Sequence, residues 1–484
     1  MLESFAVKKH DQFIAGEWVE GSSYEPDINP SNIDETVGDY AQADEAQALS
    51  AVAAAREAAH EWSQSPIQKR ADVLDGIGNE ILARREELGT LLAREEGKTK
   101  PEAIGEVTRA GYIFKFFAGE ALRISGELTP SVRPSVRVEV TREPIGVVGI
   151  ITPWNFPIAI PAWKIAPALA FGNTVVFKPA ELVPGSAWAL SEIISRASLP
   201  PGAFNLVLGR GDSAGAAMVR AKDVNAVSFT GSVSTGHTIL MEATKRHAKV
   251  QLEMGGKNPL VVLDDADMDV AVECAVQGAF YSTGQRCTAS SRLVVTEAIH
   301  DRFVESLSER MKRIRVGDAL DPETDIGPVV DQEQLDKDLD YLEVGKKEGA
   351  RLALGGDRPE TESKGFYLSP ALFVDTTNEM RINREEIFGP VATVVRVRDF
   401  EEAVDVANDT DFGLSSGIVT TSLKHADTFK KSARAGMVMV NLPTAGVDYH
   451  VPFGGTKGSS FGPREQGGYA KEFYTTVKTS YVGV

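Results

Sequence analysis

Cysteine is the scarcest chemistry-bearing residue of this chain, with two in 484 positions. So few thiols exclude a disulfide framework and stay free in a reducing compartment, which leaves Cys274 and Cys287 as separate questions. Positive charge is also short. The 51 basic residues face 69 acidic ones, a formal net charge of −18. A field of that sign repels polyphosphate and anionic lipid, excluding nucleic acid and membrane surfaces as partners. No basic segment followed by an apolar one opens the chain, as a secretory leader would. The longest apolar stretch, FPIAIPAWKIAPALAFG, is interrupted by Lys164 and three prolines and is shorter than a membrane span. A cytoplasmic location follows from these absences. None of the seven histidines lies in a motif pairing it with a cysteine, which weighs against a cysteine hydrolase.

What is present divides into two or three domains at roughly 150 residues each. FIAGEWVEG reads as a hairpin, and the segment from about Ala43 to Leu122 reads as helices with apolar residues three and four apart. SVRVEVTREPIGVVGIITP alternates and then turns continuously apolar, the pattern of a strand pair with one member in a buried sheet. Short apolar runs then alternate with helical segments: GNTVVFKP, FNLVLG, AVSFTG, KVQLEMGG and NPLVVLDD, and after Met268 SRLVVTEAI, VATVVRV, SSGIVTT and GMVMVN. Strand and helix in succession predict two tandem parallel sheets covered on both faces. Asp357 to Gly365 reads as a surface loop, and the tail KEFYTTVKTSYVGV as a strand seeking a partner.

Several stretches carry chemistry. In SFTGSVSTG an apolar strand ends in Gly231 and Ser232 caps a helix, so backbone N–H groups there suit a pyrophosphate; a plain strand-to-helix turn has the same pattern. VVFKPAE puts Lys178 and Glu181 at a strand end, where an open sheet binds its ligand, and an acidic group there suits ribose hydroxyls. PWNFP holds Asn155 between prolines, either as a rigid amide donor to an oxyanion or as a turn asparagine satisfying its own backbone. QLEMGGKNP places Glu253 before a Gly-Gly turn, as a general base with raised pKa or a merely solvated carboxylate. Cys274 falls on the apolar spacing Val270, Ala271, Cys274, Ala275 and reads as core. Cys287 lies among small residues in YSTGQRCTAS, with room for a substrate and with Arg286 beside it to favour the thiolate. An inert free thiol has the same composition.

Taken together, PWNFP, VFKPAE, FTGS, LEMGGKNP, GQRC, EEIFGP and PFGG, in that order, resemble the NAD(P)-dependent aldehyde dehydrogenase superfamily over essentially the whole chain. The resemblance implies an α/β fold. A Rossmann-like cofactor domain would take 1–124 and 144–252, an α/β catalytic domain 253–454, and a small β oligomerisation arm 125–143 and 467–484, in a homodimer or homotetramer. It implies Cys287 as the nucleophile, Asn155 and the Cys287 backbone N–H as holders of the oxyanion, and Glu253 as the base that hydrolyses a thioester. Glu253 separates the chain from the coenzyme-A-acylating branch. NAD, with NADP possible, would be held by Ile151, Thr152, Pro153, Trp154, Lys178, Glu181, Gly211, Gly215, Phe229, Thr230, Gly231, Ser232, Gly255, Glu386 and Phe388, with no metal. A small aldehyde would meet Phe156, Trp163, Tyr281, Arg286 and Phe453. STGQRCTASSR and VNLPTAGVDYHVPFGG with REQG are similar to bacterial 2,5-dioxopentanoate (2-oxoglutaric semialdehyde) dehydrogenases. Succinic semialdehyde dehydrogenases are the rival, although their arginines fall here on Trp163 and Tyr281. A broad-specificity enzyme and a non-catalytic binding protein on the same fold are the further alternatives.

Overall fold

The computed structural model describes residues 8–483. The expectation about a leader concerns in part residues 1–7, outside the described ones. The apolar runs form two large sheets. The first is 8-stranded, in the order Ser460–Phe461, Lys249–Glu253, Ala226–Thr230, Val147–Ile151, Thr174–Lys178, Phe204–Leu206, Gln12–Ile14 and Glu17–Val19. Its middle is parallel, and the hairpin Gln12–Val19 and the short strand Ser460–Phe461 close its edges antiparallel. The central strands are buried on both faces, which is why they read as unbroken apolar runs. Helices Ala159–Ala170, Pro184–Ser195 and Val233–Thr244 make the crossovers.

Strand order fixes where a ligand can sit. From Val147–Ile151 the chain runs outward through Thr174–Lys178 and Phe204–Leu206, then returns to the opposite side with Ala226–Thr230. Connections leaving in opposite directions open a crevice at the carboxyl ends of the two adjacent strands, Ile151 and Thr230. The segments Thr152–Asn155 and Gly231–Ser232 follow directly.

The second sheet is 7-stranded, ordered Arg351–Leu354, Ala371–Thr376, Val391–Val397, Arg292–Thr296, Pro259–Val262, Ser415–Val419 and Met437–Val440. All its pairs are parallel except the first. The helices expected before Leu122 are Glu45–Ser63, Ile67–Ala83, Arg85–Glu96 and Lys100–Leu122. The last three, with Phe114 and Phe117 fully buried, pack with Ala159–Ala170 into one core, which Trp62 joins; the first helix packs Ala48, Ala51, Val52 and Ala55 into a second cluster with Val147, Val176 and Val207. Cys274 lies buried in the core of the second sheet, as its spacing predicted, whereas Val270 is exposed.

One expectation is corrected. Val136–Pro144 and Val147–Ile151 do not pair; they belong to different sheets. The first is only half-buried along its length and has no continuous apolar face to bring into a core. It lies instead in a 3-stranded antiparallel sheet between Glu127–Pro130 and the tail strand Thr475–Gly483. The partner sought by the tail is thus in the same chain. Asp357 to Gly365 carries no regular element.

Candidate active site

Cys287 lies where two cavities meet. One encloses about 300 Å³ and is lined by Lys98, Glu106, Arg109, Phe156, Trp163 and Phe453 together with the thiol. The other encloses about 190 Å³ and is lined by Trp154, Asn155, Thr230, Gly231, Ser232 and Glu386, again with the thiol. The second is the crevice at the strand ends. The sulfur is therefore open both to that crevice and to a separate, largely apolar chamber.

The turn before the cysteine makes this possible. Ser282, Thr283 and Gly284 have φ of 51°, 56° and 67°, a run of left-handed residues that turns the chain sharply. A Cβ on Gly284 would collide with the Gly389 carbonyl, so glycine is required there. Glu102 secures the turn, accepting from the Ser282 N–H at 3.0 Å and its hydroxyl at 2.9 Å. Arg286 and Cys287 consequently face the same chamber, whereas an extended loop would have pointed them apart.

Asn155 Nδ2 donates to the Gln285 carbonyl at 2.9 Å. Its own backbone is not its partner. One amide N–H orients the side chain on the cysteine loop, and the second is left for an oxygen near the sulfur. Behind it, Lys98 Nζ donates to the Asn155 carbonyl at 2.6 Å and pairs with Glu106 at 2.7 Å. Glu106 also accepts from the N–H groups of Ile158 and Ala159 at 3.0 and 3.1 Å. The turn PWNFP is thus held from below by a buried ion pair.

Burial first, then the carboxylates of Glu386 and Glu253, push the Cys287 thiol up to about 12, against the backbone N–H groups of Cys287 and Thr288. Arg286 does not assist the thiolate as the sequence suggested. Its guanidinium is held by Glu102 at 2.8 Å and by Ser282 Oγ at 2.7 Å.

Glu253 ends its strand buried, and its Oε2 accepts from Ser460 Oγ at 2.5 Å. Burial, then the negative charge of Glu465, raise its pKa well above the carboxylate range; Ser460, Lys164 and Arg464 oppose this. It lines neither cavity in this conformation. The Gly-Gly turn after it allows two close approaches: a Cβ on Gly255 would strike the Glu386 carboxylate, and one on Gly256 would come 2.6 Å from the Cys287 carbonyl oxygen. Glu386 Oε1 accepts from the Gly256 N–H at 2.8 Å. Phe388, at φ 69°, meets Trp154 edge-on with ring centroids 5.4 Å apart.

A third cavity, of about 510 Å³, continues from the first sheet and is lined by Ile151, Lys178, Gly211, Gly215, Thr235 and Ile239 among others. Ser232 caps the helix Val233–Thr244, accepting from the Thr235 N–H at 3.3 Å. Lys178 Nζ donates to the carbonyls of Pro179 and Gly209, each at 2.7 Å, and Glu181 accepts from the Gly211 N–H at 2.6 Å. The residues present fit a dinucleotide. Thr152 and Thr230 keep buried hydroxyls without partners, a Cβ on Gly231 would meet the Phe229 ring at 2.6 Å, and one on Gly215 would reach Lys178 at 3.1 Å.

Of the residues assigned to substrate, Phe156, Trp163, Arg286 and Phe453 line the first cavity, with Trp163 stacked on Phe453 at 5.4 Å. Tyr281 does not. Its ring packs against the second sheet's core and its hydroxyl accepts from Arg310 at 3.4 Å, because the turn at Ser282 directs it away. Residues not anticipated from the sequence are Lys98, Glu102, Glu106 and Arg109 in the first cavity and Gln334 and Lys337 in the second. The spacing Glu102, Glu106, Arg109 is a polar stripe on one face of a helix, a signal present in the sequence.

The family model described as the aldehyde dehydrogenase family matches residues 18–480. An α-ketoglutaric semialdehyde dehydrogenase of Bacillus subtilis is 44% identical over 475 residues, covering 97% of this chain and 97% of the relative. A 2,5-dioxopentanoate dehydrogenase of Saccharolobus solfataricus is 42% identical over 482 residues, covering 98% and 100%. Among solved structures, a betaine aldehyde dehydrogenase of Staphylococcus aureus in complex with NAD+ superposes with a TM-score of 0.96 at 35% identity, covering 99% of this chain and 95% of that one.

The thiol's environment has a measurable consequence. Only the thiolate is alkylated, so in the ligand-free protein the rate at Cys287 with iodoacetamide should rise about tenfold per pH unit from about pH 7 to 10. Peptide mass spectrometry separates it from Cys274. A plateau below about pH 8 would show that burial does not raise this thiol.

Proposed function

The chain belongs to the aldehyde dehydrogenase family, and from that premise we propose that it oxidises a short, carboxylate-bearing semialdehyde, 2,5-dioxopentanoate, to its acid, 2-oxoglutarate, with NAD. The observation that carries this reading is the position of Cys287, which with the apolar Ile160 lines both the strand-end crevice and the apolar chamber that holds Phe156, Trp163 and Phe453, and is the one nucleophile to do so. A carbonyl carbon entering from the chamber meets sulfur beside the crevice.

Cys287 attacks that carbon, giving its proton to solvent water as the carbon–sulfur bond forms, and the carbonyl oxygen becomes an oxyanion. The free N–H of Asn155 and the Cys287 backbone N–H stabilise it. Bound NAD supplies the acceptor for the hydride that leaves this carbon. Crevice residues Thr152, Trp154, Thr230, Ser232, Glu386 and Phe388 hold one end of the dinucleotide, and Lys178, Glu181, Gly211 and Gly215 the other. Glu181 repels a 2′-phosphate, which favours NAD over NADP; Lys178 Nζ, 3.5 Å from Glu181 Oε2, blunts that repulsion without removing it, because it also donates to two carbonyls. Glu253 then turns from Ser460 toward the thioester and takes a proton from water as the water oxygen bonds to the acyl carbon. The carbon–sulfur bond breaks, releasing the acid, and the sulfur regains its proton from Glu253 as the thiol. Among the described residues no helix is long and apolar enough to cross a membrane, and the free thiols support a cytoplasmic location.

The decisive comparison is kcat/KM with NAD for 2,5-dioxopentanoate, succinic semialdehyde, glycolaldehyde and a long aliphatic aldehyde; the first should lead. Cys287→Ala should abolish turnover and keep NAD binding, and retained turnover would falsify the covalent route. Glu253→Gln should give a burst of about one NADH per site and then stall. Because Glu253 acts deprotonated and its pKa is raised, wild-type deacylation should climb as pH rises through that ionisation. A flat profile, or unchanged steady-state turnover in the variant, removes Glu253 as the base.

Assembly belongs to the same reading. The small sheet presents exposed apolar side chains, Leu128 at 70%, Val477 at 56% and Tyr481 at 61%, on its two edge strands, Glu127–Pro130 and Thr475–Gly483, whose outer edges pair with no other strand among the described residues. We assign 125–143 and 467–484 to a homo-oligomeric interface. A chain ending at Tyr474 should sediment as a monomer where the full chain does not; equal masses would contradict the assignment.

A further inference from the structure

Three cations line the chamber beside Cys287: Lys98, Arg109 and Arg286. Two are already neutralised, Lys98 by Glu106 at 2.7 Å and Arg286 by Glu102 at 2.8 Å. Arg109 is different. Among the described residues no carboxylate lies within ion-pair distance of it; Glu106 is engaged with Lys98, and Asp448, the other acidic group nearby, is exposed. Its guanidinium carbon lies 5.5 Å from the centre of the Trp163 ring, and one terminal nitrogen donates to Gln466 Oε1 at 3.0 Å.

The donors around it lack acceptors. Arg109 Nε is buried without a partner, and so are Trp163 Nε1 and Gln466 Nε2. Arginine can only donate, so the amide oxygen of Gln466 must face it, and the orphaned Nε2 is not a misassigned flip. Buried donors left unmade are costly and call for an oxygen-rich anion. Between these donors and the thiol, Phe156, Ile160 and Phe453 offer apolar walls to a short carbon chain.

We propose that Arg109 binds the distal carboxylate of the substrate, with the Trp163 indole N–H as a second donor, while the aldehyde carbon of the same molecule meets Cys287. This rests on the semialdehyde reading above. Arg109 fixes the far end of the chain, so the reacting carbon is placed by the length between carboxylate and aldehyde.

The test is the ratio of kcat/KM for 2,5-dioxopentanoate to that for pentanal. A charge-assisted contact of this kind should be worth about 10- to 100-fold, so Arg109→Met should lower the ratio by that factor, mainly through KM, and Arg109→Lys should restore part of it. A wild-type ratio well above one that survives in Arg109→Met overturns the assignment and leaves the semialdehyde reading standing. A wild-type ratio near one overturns both. Equal losses on the two aldehydes would make Arg109 structural and also overturn the assignment. Should Arg109→Met fail to fold, the wild-type enzyme and Arg109→Lys still decide: glutarate should compete with the aldehyde in the wild type and more weakly in the variant, whereas neutral glutaramide should not. Indifference to glutarate, or equal inhibition of both proteins, overturns the proposal.

Discussion

The site depends on one hydrogen bond, from the Asn155 amide to the Gln285 carbonyl. It joins the end of the first sheet's central strand to the loop that carries the thiol, and so registers two sheets against each other at the point of chemistry. Each end is itself anchored. On one side the Lys98–Glu106 pair grips the Asn155 carbonyl. Burial alone would lower the lysine's pKa, yet Glu106 and Glu96 carry it above its ordinary value, so it stays charged. On the other side, Gln285 Oε1 accepts from the Val330 N–H at 2.9 Å, and Asn258 Nδ2 donates to the carbonyls of Cys287 and Ala289 at 2.7 and 2.9 Å. A buried ion pair adds little net stability, but removing one partner costs about 3–5 kcal/mol. Its use here is positional.

The same economy explains the strained turn. Left-handed residues other than glycine cost of order 1–3 kcal/mol each, and Ser282 and Thr283 both adopt that conformation. Glu102 and the Gly327 carbonyl, which accepts from Thr283 Oγ1 at 3.0 Å, hold them there. The return is a thiol with open space on two sides, which neither a helix nor a strand could present.

Much of this was legible in the chain and some was not, for physical reasons. Central strands were readable because double-sided burial demands unbroken apolar runs, and Ser232 announced its helix because an N-cap needs a short side-chain acceptor. Cys287 stood out because little else in its loop has bulk. The tail and Val136–Pro144 were readable as strands, but their pairing depends on more than 300 positions of intervening chain. Arg286 was misread because its neighbour in sequence is Cys287, while its partner in space, Glu102, lies on a helix 184 residues earlier. Lys164, Glu465 and Ser460 surround Glu253 by the same long-range closure. Arg109 was hidden in an amphipathic helix, where a cation ordinarily marks a solvated face. Its Glu102 and Glu106 companions at helical spacing show that this stripe faces inward.

A net charge of −18 is at odds with gathering anions, which the proposed dinucleotide and semialdehyde acid both are. The conflict dissolves over distance. At physiological salt the Debye length is about 8 Å, so the surplus acidic charge on the surface is largely screened before it reaches either cavity. Inside, low dielectric magnifies whatever is left unpaired. In the crevice that is a set of backbone N–H groups and hydroxyls together with Lys337; in the chamber, after Lys98 and Arg286 are matched to their carboxylates, it is the single positive charge of Arg109. The surface keeps the chain from polyanions, while the chamber leaves one guanidinium unmatched.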